Sequence, residues 1–146
     1  MPRNRGYRFN WEGRELELGI YKFKIEKQLS KWVDDVLAQR HVLTLAHYVN
    51  EDIPVMLKIR YELNPKNFPI IEDVEETREI GRRHHLFEAS LYKLLHEIGH
   101  GPKVMMVTKR DRQSEWMPYP EGRIFFTVLR RVPGENVGKI RNELSR

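Results

Sequence analysis

The chain has 146 residues, of which 40% are hydrophobic and 32% charged, which suits one domain with its own core and is short for two. No run approaches the roughly eighteen apolar residues of a membrane span, and the basic, polar N-terminus lacks the apolar centre of a secretory signal, so a cytoplasmic protein is expected. The absence of cysteine excludes disulfides, thiolate nucleophiles and Cys-ligated metal centres, and the net charge of +5 is spread among 21 acids, so nucleic acid is not an expected partner.

Residues 1–14 read as a basic tail, with Arg3, Arg5 and Arg8 beside Tyr7, Phe9 and Trp11. Such a segment is ordinarily a solvated arm. A single domain is expected over 15–146. From Glu15 to Ile25 alternating and helical patterns mix. Ile25, Leu29, Trp32, Val33, Val36 and Leu37 then recur at three-to-four spacing, which predicts an amphipathic helix. Val42 to Val49 and Val55 to Tyr61 are rich in β-branched and aromatic residues, and Asn50-Glu51-Asp52 between them suits a tight turn, so the pair predicts a β-hairpin. On its second strand the two-residue period places Val55, Leu57, Ile59 and Tyr61 on one face, with Met56, Lys58 and Arg60 on the other.

Past the breaks at Pro65 and Pro69, the residues Ile80, His84, Phe87, Leu91, Leu94, Leu95 and Ile98 trace a long helical stripe. Gly99 and Gly101-Pro102 end it. Lys103 to Thr108 and Arg123 to Val132 read as strands around a polar loop, and Glu135 to Leu144 as a short final helix. The expected class is α+β: a mainly antiparallel sheet, one long packed helix, and an additional N-terminal helix.

Several short segments stand in an order that carries a family resemblance. They are Val55-Met56-Leu57-Lys58, Glu88 with Leu91 and Leu95 behind it, Gly99-His100-Gly101-Pro102-Lys103-Val104, Pro120-Glu121-Gly122-Arg123-Ile124, and Val132-Pro133-Gly134-Glu135-Asn136-Val137. Together they resemble the N-terminal lobe of the protein-kinase-like superfamily, in its aminoglycoside phosphotransferase and choline kinase branch. There a helix ending in Gly-x-Gly-Pro-Lys leads to two strands, and the last strand runs into a hinge.

The resemblance implies that Lys58 contacts the phosphates of ATP bound with magnesium and that Glu88 orients it as an ion pair. It further implies that Met56 and Leu129 line the adenine slot, and that the main chain of Arg130, Arg131 and Val132 forms the hinge beside adenine. Outside that resemblance, a lone strand lysine and a helical glutamate are ordinarily solvated charges.

The chain also departs from the family pattern. Met56 stands where a small residue is common, and no glycine-rich stretch precedes Lys58. The catalytic aspartate and the magnesium-binding aspartate belong to a lobe that follows the hinge, so no catalytic residue is assigned. The expectation is a truncated or stand-alone N-lobe, inactive by itself.

Two alternatives stand beside it. One is a non-catalytic, pseudokinase-type interaction domain that meets a protein partner, or its own copy, through the surface where a second lobe would dock. The other is a small zinc metallopeptidase, because His96-Glu97-Ile98-Gly99-His100 fits the H-E-x-x-H pattern in which two histidines one helical turn apart hold zinc. The glycines after Ile98 oppose it, since they end the helix that the zinc motif needs.

Overall fold

The computed structural model describes residues 10–131, and in them the period-2 segments pair into one antiparallel sheet. Its strands are β1 (Glu15–Leu18), β2 (Tyr21–Asp34), β3 (Gln39–Tyr48), β4 (Ile53–Glu62), β5 (Val104–Arg110) and β6 (Ile124–Arg130). They lie in the order β1-β2-β3-β4-β6-β5. A 3-10 turn at Pro65–Asn67 leads to the long helix α1 (Val74–Glu97), so the class is α+β.

The predicted hairpin is β3 and β4, in register from Gln39 opposite Glu62 to Tyr48 opposite Ile53. Its turn bends at Asp52, which takes a positive φ of 52°. The predicted faces of β4 also hold. Val55, Leu57, Ile59 and Tyr61 are fully buried in the main core with Phe23, Ile25, Val42 and Phe126, and Trp11 and Met117 join them there. Each such apolar side chain contributes about 1.5–3 kcal/mol on burial. Trp11, expected in the tail, is thus part of the core.

No N-terminal helix forms. The segment expected to be helical lies mostly in the 14-residue strand β2. Two register shifts, between Ile25 and Lys27 and between Gln28 and Ser30, each insert an extra residue against β3. A bulge breaks the two-residue alternation, so Ile25, opposite Ala46, and Trp32, opposite His41, end on opposite faces of the sheet, and their helical spacing marks no single buried face. The last two residues of the apolar run, Val36 and Leu37, fall in the β2–β3 turn, where Asp34 Oδ1 accepts from both of their backbone N–H groups at 3.0 Å.

Helix α1 starts where Asp73 caps it, its side chain accepting from Glu76 N at 3.0 Å, with Glu75 and Glu76 in the first turn beside the positive end of the helix dipole. It stops at Glu97. Gly99 then adopts a positive φ of 81°, and His100 N donates to Leu95 O at 2.7 Å, closing the C-terminal turn.

The helix exists as expected, but the stripe expected to face the core does not. Phe87 is 72% exposed, Leu94 53% and Ile98 59%. The residues that meet the sheet are Gly81, His85, Ala89 and Tyr92. The reason lies in the sheet face beneath, where Gln39, His41, Lys58 and Arg60 point toward the helix. Small and polar helix residues fit that layer: a Cβ at Gly81 would run into the side chain of Gln39, and Arg60 Nη1 donates to the Gly81 carbonyl at 3.2 Å.

Candidate functional site

The same two periodicities that build β4 and α1 bring Lys58 and Glu88 together. Lys58 faces the helix because it alternates with the buried Leu57 and Ile59, and Glu88 faces the sheet because it lies on the side of α1 that carries His85 and Tyr92. Lys58 Nζ donates to Glu88 Oε2 at 2.7 Å, with side chains 21% and 22% exposed. The cation and its acid are thus paired at the margin of the sheet–helix interface, neither sealed nor freely solvated.

Two residues not singled out from the sequence complete this constellation. Arg60, two positions along β4, places Nη2 3.4 Å from the same Glu88 Oε2. Tyr92, one turn along α1, accepts a hydrogen bond from Lys58 Nζ at its hydroxyl, 3.2 Å away. Both were within reach of pattern reading, since positions two apart on a strand and four apart on a helix share a face. Burial, with the Glu88 charge beside it, raises the Tyr92 phenol well above its ordinary range, so it stays neutral. Burial lowers the Arg60 guanidinium from its usual value, and Glu88 opposes that shift.

Met56 and Leu129 sit directly opposite one another on β4 and β6. Both are 1% exposed, and Tyr92 packs with them in a small cluster bordered by Leu45 and Val104. The apolar groups expected at adenine are therefore adjacent to the Lys58–Glu88 pair and covered by protein. The backbone N–H of Arg130 donates to Lys103 O at 2.8 Å, and that of Arg131 to Pro54 O at 3.1 Å, so both serve the strand ladder. Val132, the Pro133-Gly134 element and the final helix expected over Glu135 to Leu144 lie outside the described residues.

The β2–β3 turn offers no phosphate cradle of backbone donors. It holds no glycine, Leu37 and Ala38 in it are buried, and its Val36 and Leu37 N–H groups are already bound by Asp34. Next to it on the helix side lies a neutral, polar layer. The His41 ring is held to a pKa of about 2 and that of His85 to about 4, in each case by burial first and by the Arg60 charge second. Trp32, 54% exposed, stacks on His41 with centroids 4.1 Å apart and planes 7° from parallel.

The zinc pattern is not assembled as its motif requires. α1 ends at Glu97, so His100 lies past the helix that carries His96, and His96 Nδ1 is 3.1 Å from the Gly101 carbonyl oxygen. Among the described residues no group of three or more His, Cys, Asp or Glu side chains is placed to hold a metal ion, and no helix is long and apolar enough to cross a membrane. No protein-family model and no curated protein matches the chain.

Proposed function

We propose that this domain is the nucleotide-side half of a kinase-like phosphotransferase, in which Lys58 takes the phosphates of ATP bound with magnesium. The single observation that supports the reading is the strand-mounted Lys58 held at 2.7 Å by the helical Glu88. A Lys–Glu pair between a sheet and its packed helix is the arrangement that positions a phosphate-binding cation in protein kinases. Met56 and Leu129, next to this pair, are the groups assigned to the adenine end, and Tyr92 has to move off them for a ring to enter. No residue of the described chain is assigned the chemical step, so the proposed capacity is binding. It is tested by thermal unfolding with and without MgATP. Bound nucleotide at about a hundred times its dissociation constant adds about 2.7 kcal/mol of stability, and Lys58→Ala abolishes that increment. A melting curve that MgATP leaves unmoved refutes the proposal.

The exposed side of α1 supports a second reading, a protein-interaction domain. Leu86, Phe87 and Leu94 on α1 and Ile98 just past its end are 46–72% exposed, and large apolar side chains left in solvent along one element are what a contact surface would use. Concentration-dependent sedimentation, reduced by Phe87→Ser, is the outcome this reading requires.

A further inference from the structure

The Lys58–Glu88 pair does not stand alone. Arg60 projects from β4 on the same face, and its planar guanidinium divides itself between two points of α1: Nη1 reaches the Gly81 carbonyl at 3.2 Å, and Nη2 the Glu88 carboxylate at 3.4 Å. These acceptors lie seven residues apart, close to two helical turns. One rigid group thus fixes both the height and the rotation of the helix over the sheet.

The charges are unequal as well. Two cations, Lys58 and Arg60, contact the one carboxylate oxygen, Glu88 Oε2, and Asp34 acts on Arg60 only through a longer-range attraction. In an isolated pair, Glu88 would neutralise Lys58 outright. Here the carboxylate is shared, and the site keeps a surplus of positive charge. Arg60 Nε is buried and makes no hydrogen bond among the described residues, so the guanidinium is not fully satisfied by the protein around it.

We infer that Arg60 is a positioning residue for the proposed phosphate site. It holds Glu88 against Lys58 before any ligand arrives and leaves the lysine with charge to offer an anion. The inference rests on the nucleotide-binding reading and adds to it a residue that the Lys–Glu pattern does not contain. Arginine suits the task because its fork spans two acceptors, whereas lysine is a point charge that can hold only one of them firmly.

The test measures MgATP and inorganic tripolyphosphate dissociation constants by calorimetry, well below the melting temperature of every variant. The variants are Lys58→Ala, Arg60→Met and Arg60→Lys. Arg60→Met is expected to weaken both ligands about tenfold or more, and Arg60→Lys to recover part of that loss by restoring charge without the second contact. A purely structural arginine would lower the melting temperature of Arg60→Met and leave its dissociation constants at the wild-type value, which overturns the inference. Should Arg60→Met fail to fold, Arg60→Lys decides: wild-type affinity in it also overturns the inference. Wild-type protein that binds neither ligand refutes the nucleotide reading and the inference with it, whereas binding lost in Lys58→Ala and intact in both Arg60 variants refutes the inference alone.

Discussion

Glu62→Gln is expected to be among the most damaging single substitutions in this domain. Glu62, at the end of β4, is 4% exposed. Oε1 accepts from the backbone N–H of Arg123 at 2.6 Å, and Oε2 accepts from Arg123 Nη2 at 3.0 Å and Nε at 3.2 Å. Arg78 Nη2, from the second turn of α1, lies 3.2 Å from Oε1. One carboxylate therefore ties β4 to the entrance of β6 and to the helix. Glutamine keeps the shape and removes the charge, leaving two guanidinium groups facing an amide. Breaking a buried ion pair by removing one partner costs about 3–5 kcal/mol, a large share of the roughly 5–15 kcal/mol that holds a domain of this kind together. Urea unfolding followed by far-UV circular dichroism and tryptophan fluorescence measures the loss, with the urea slope unchanged if the unfolded state is unaffected. Glu15→Ala, which removes an exposed pair with Lys22, serves as the control and leaves the midpoint where it was. A Glu62→Gln midpoint as unmoved as the control would refute the reasoning.

Three further outcomes follow from the structure. His41 and His85, held near 2 and 4 by burial and the Arg60 charge, stay neutral when folded and titrate near 6.5 when unfolded. The unfolded state therefore binds more protons, and the stability these two residues contribute above pH 6.5 is lost as pH falls toward the folded values. Each loses roughly 2 kcal/mol between pH 7 and 5, so His85→Gln flattens the pH dependence of urea stability, and a wild-type profile level over that range contradicts the assignment. Tyr92→Ala, in the cluster with Met56 and Leu129, costs about 3–5 kcal/mol. By contrast Phe87→Ser, on the exposed face of the same helix, changes stability by less than about 0.5 kcal/mol, and equal costs at the two positions would contradict the observed rotation of α1.

Much of the fold was legible in the residues because β4 follows the expected alternation, β3, β5 and β6 fall on the expected strand segments, and α1 ends at the expected glycines. What misled were two local features. Two bulges break the alternation of β2, so its apolar residues keep no steady two-residue period from which a strand could be read. On α1 the apolar stripe through Phe87, Leu94 and Ile98 suggested a buried face, although the sheet surface beneath the helix is built from Gln39, His41, Lys58 and Arg60 and accepts Gly81, His85 and Glu88 instead. Periodicity reports that a face is apolar. It does not report which face the neighbouring element can receive. The direction of Lys58 was legible in the alternation of β4, whereas Glu88 was paired with it through the family resemblance, and the sharing of Glu88 with Arg60 depends on strand and helix being set at a particular height.

The most direct test of the phosphate role uses an acyl-phosphate derivative of ATP, which transfers its acyl group to a lysine lying against the phosphates. Mass spectrometry of the digested protein is expected to find Lys58 as the principal modified residue, with the modification suppressed by excess MgATP. Acylation scattered over exposed lysines such as Lys22 and Lys109, with Lys58 unmodified or indifferent to MgATP, would contradict the account.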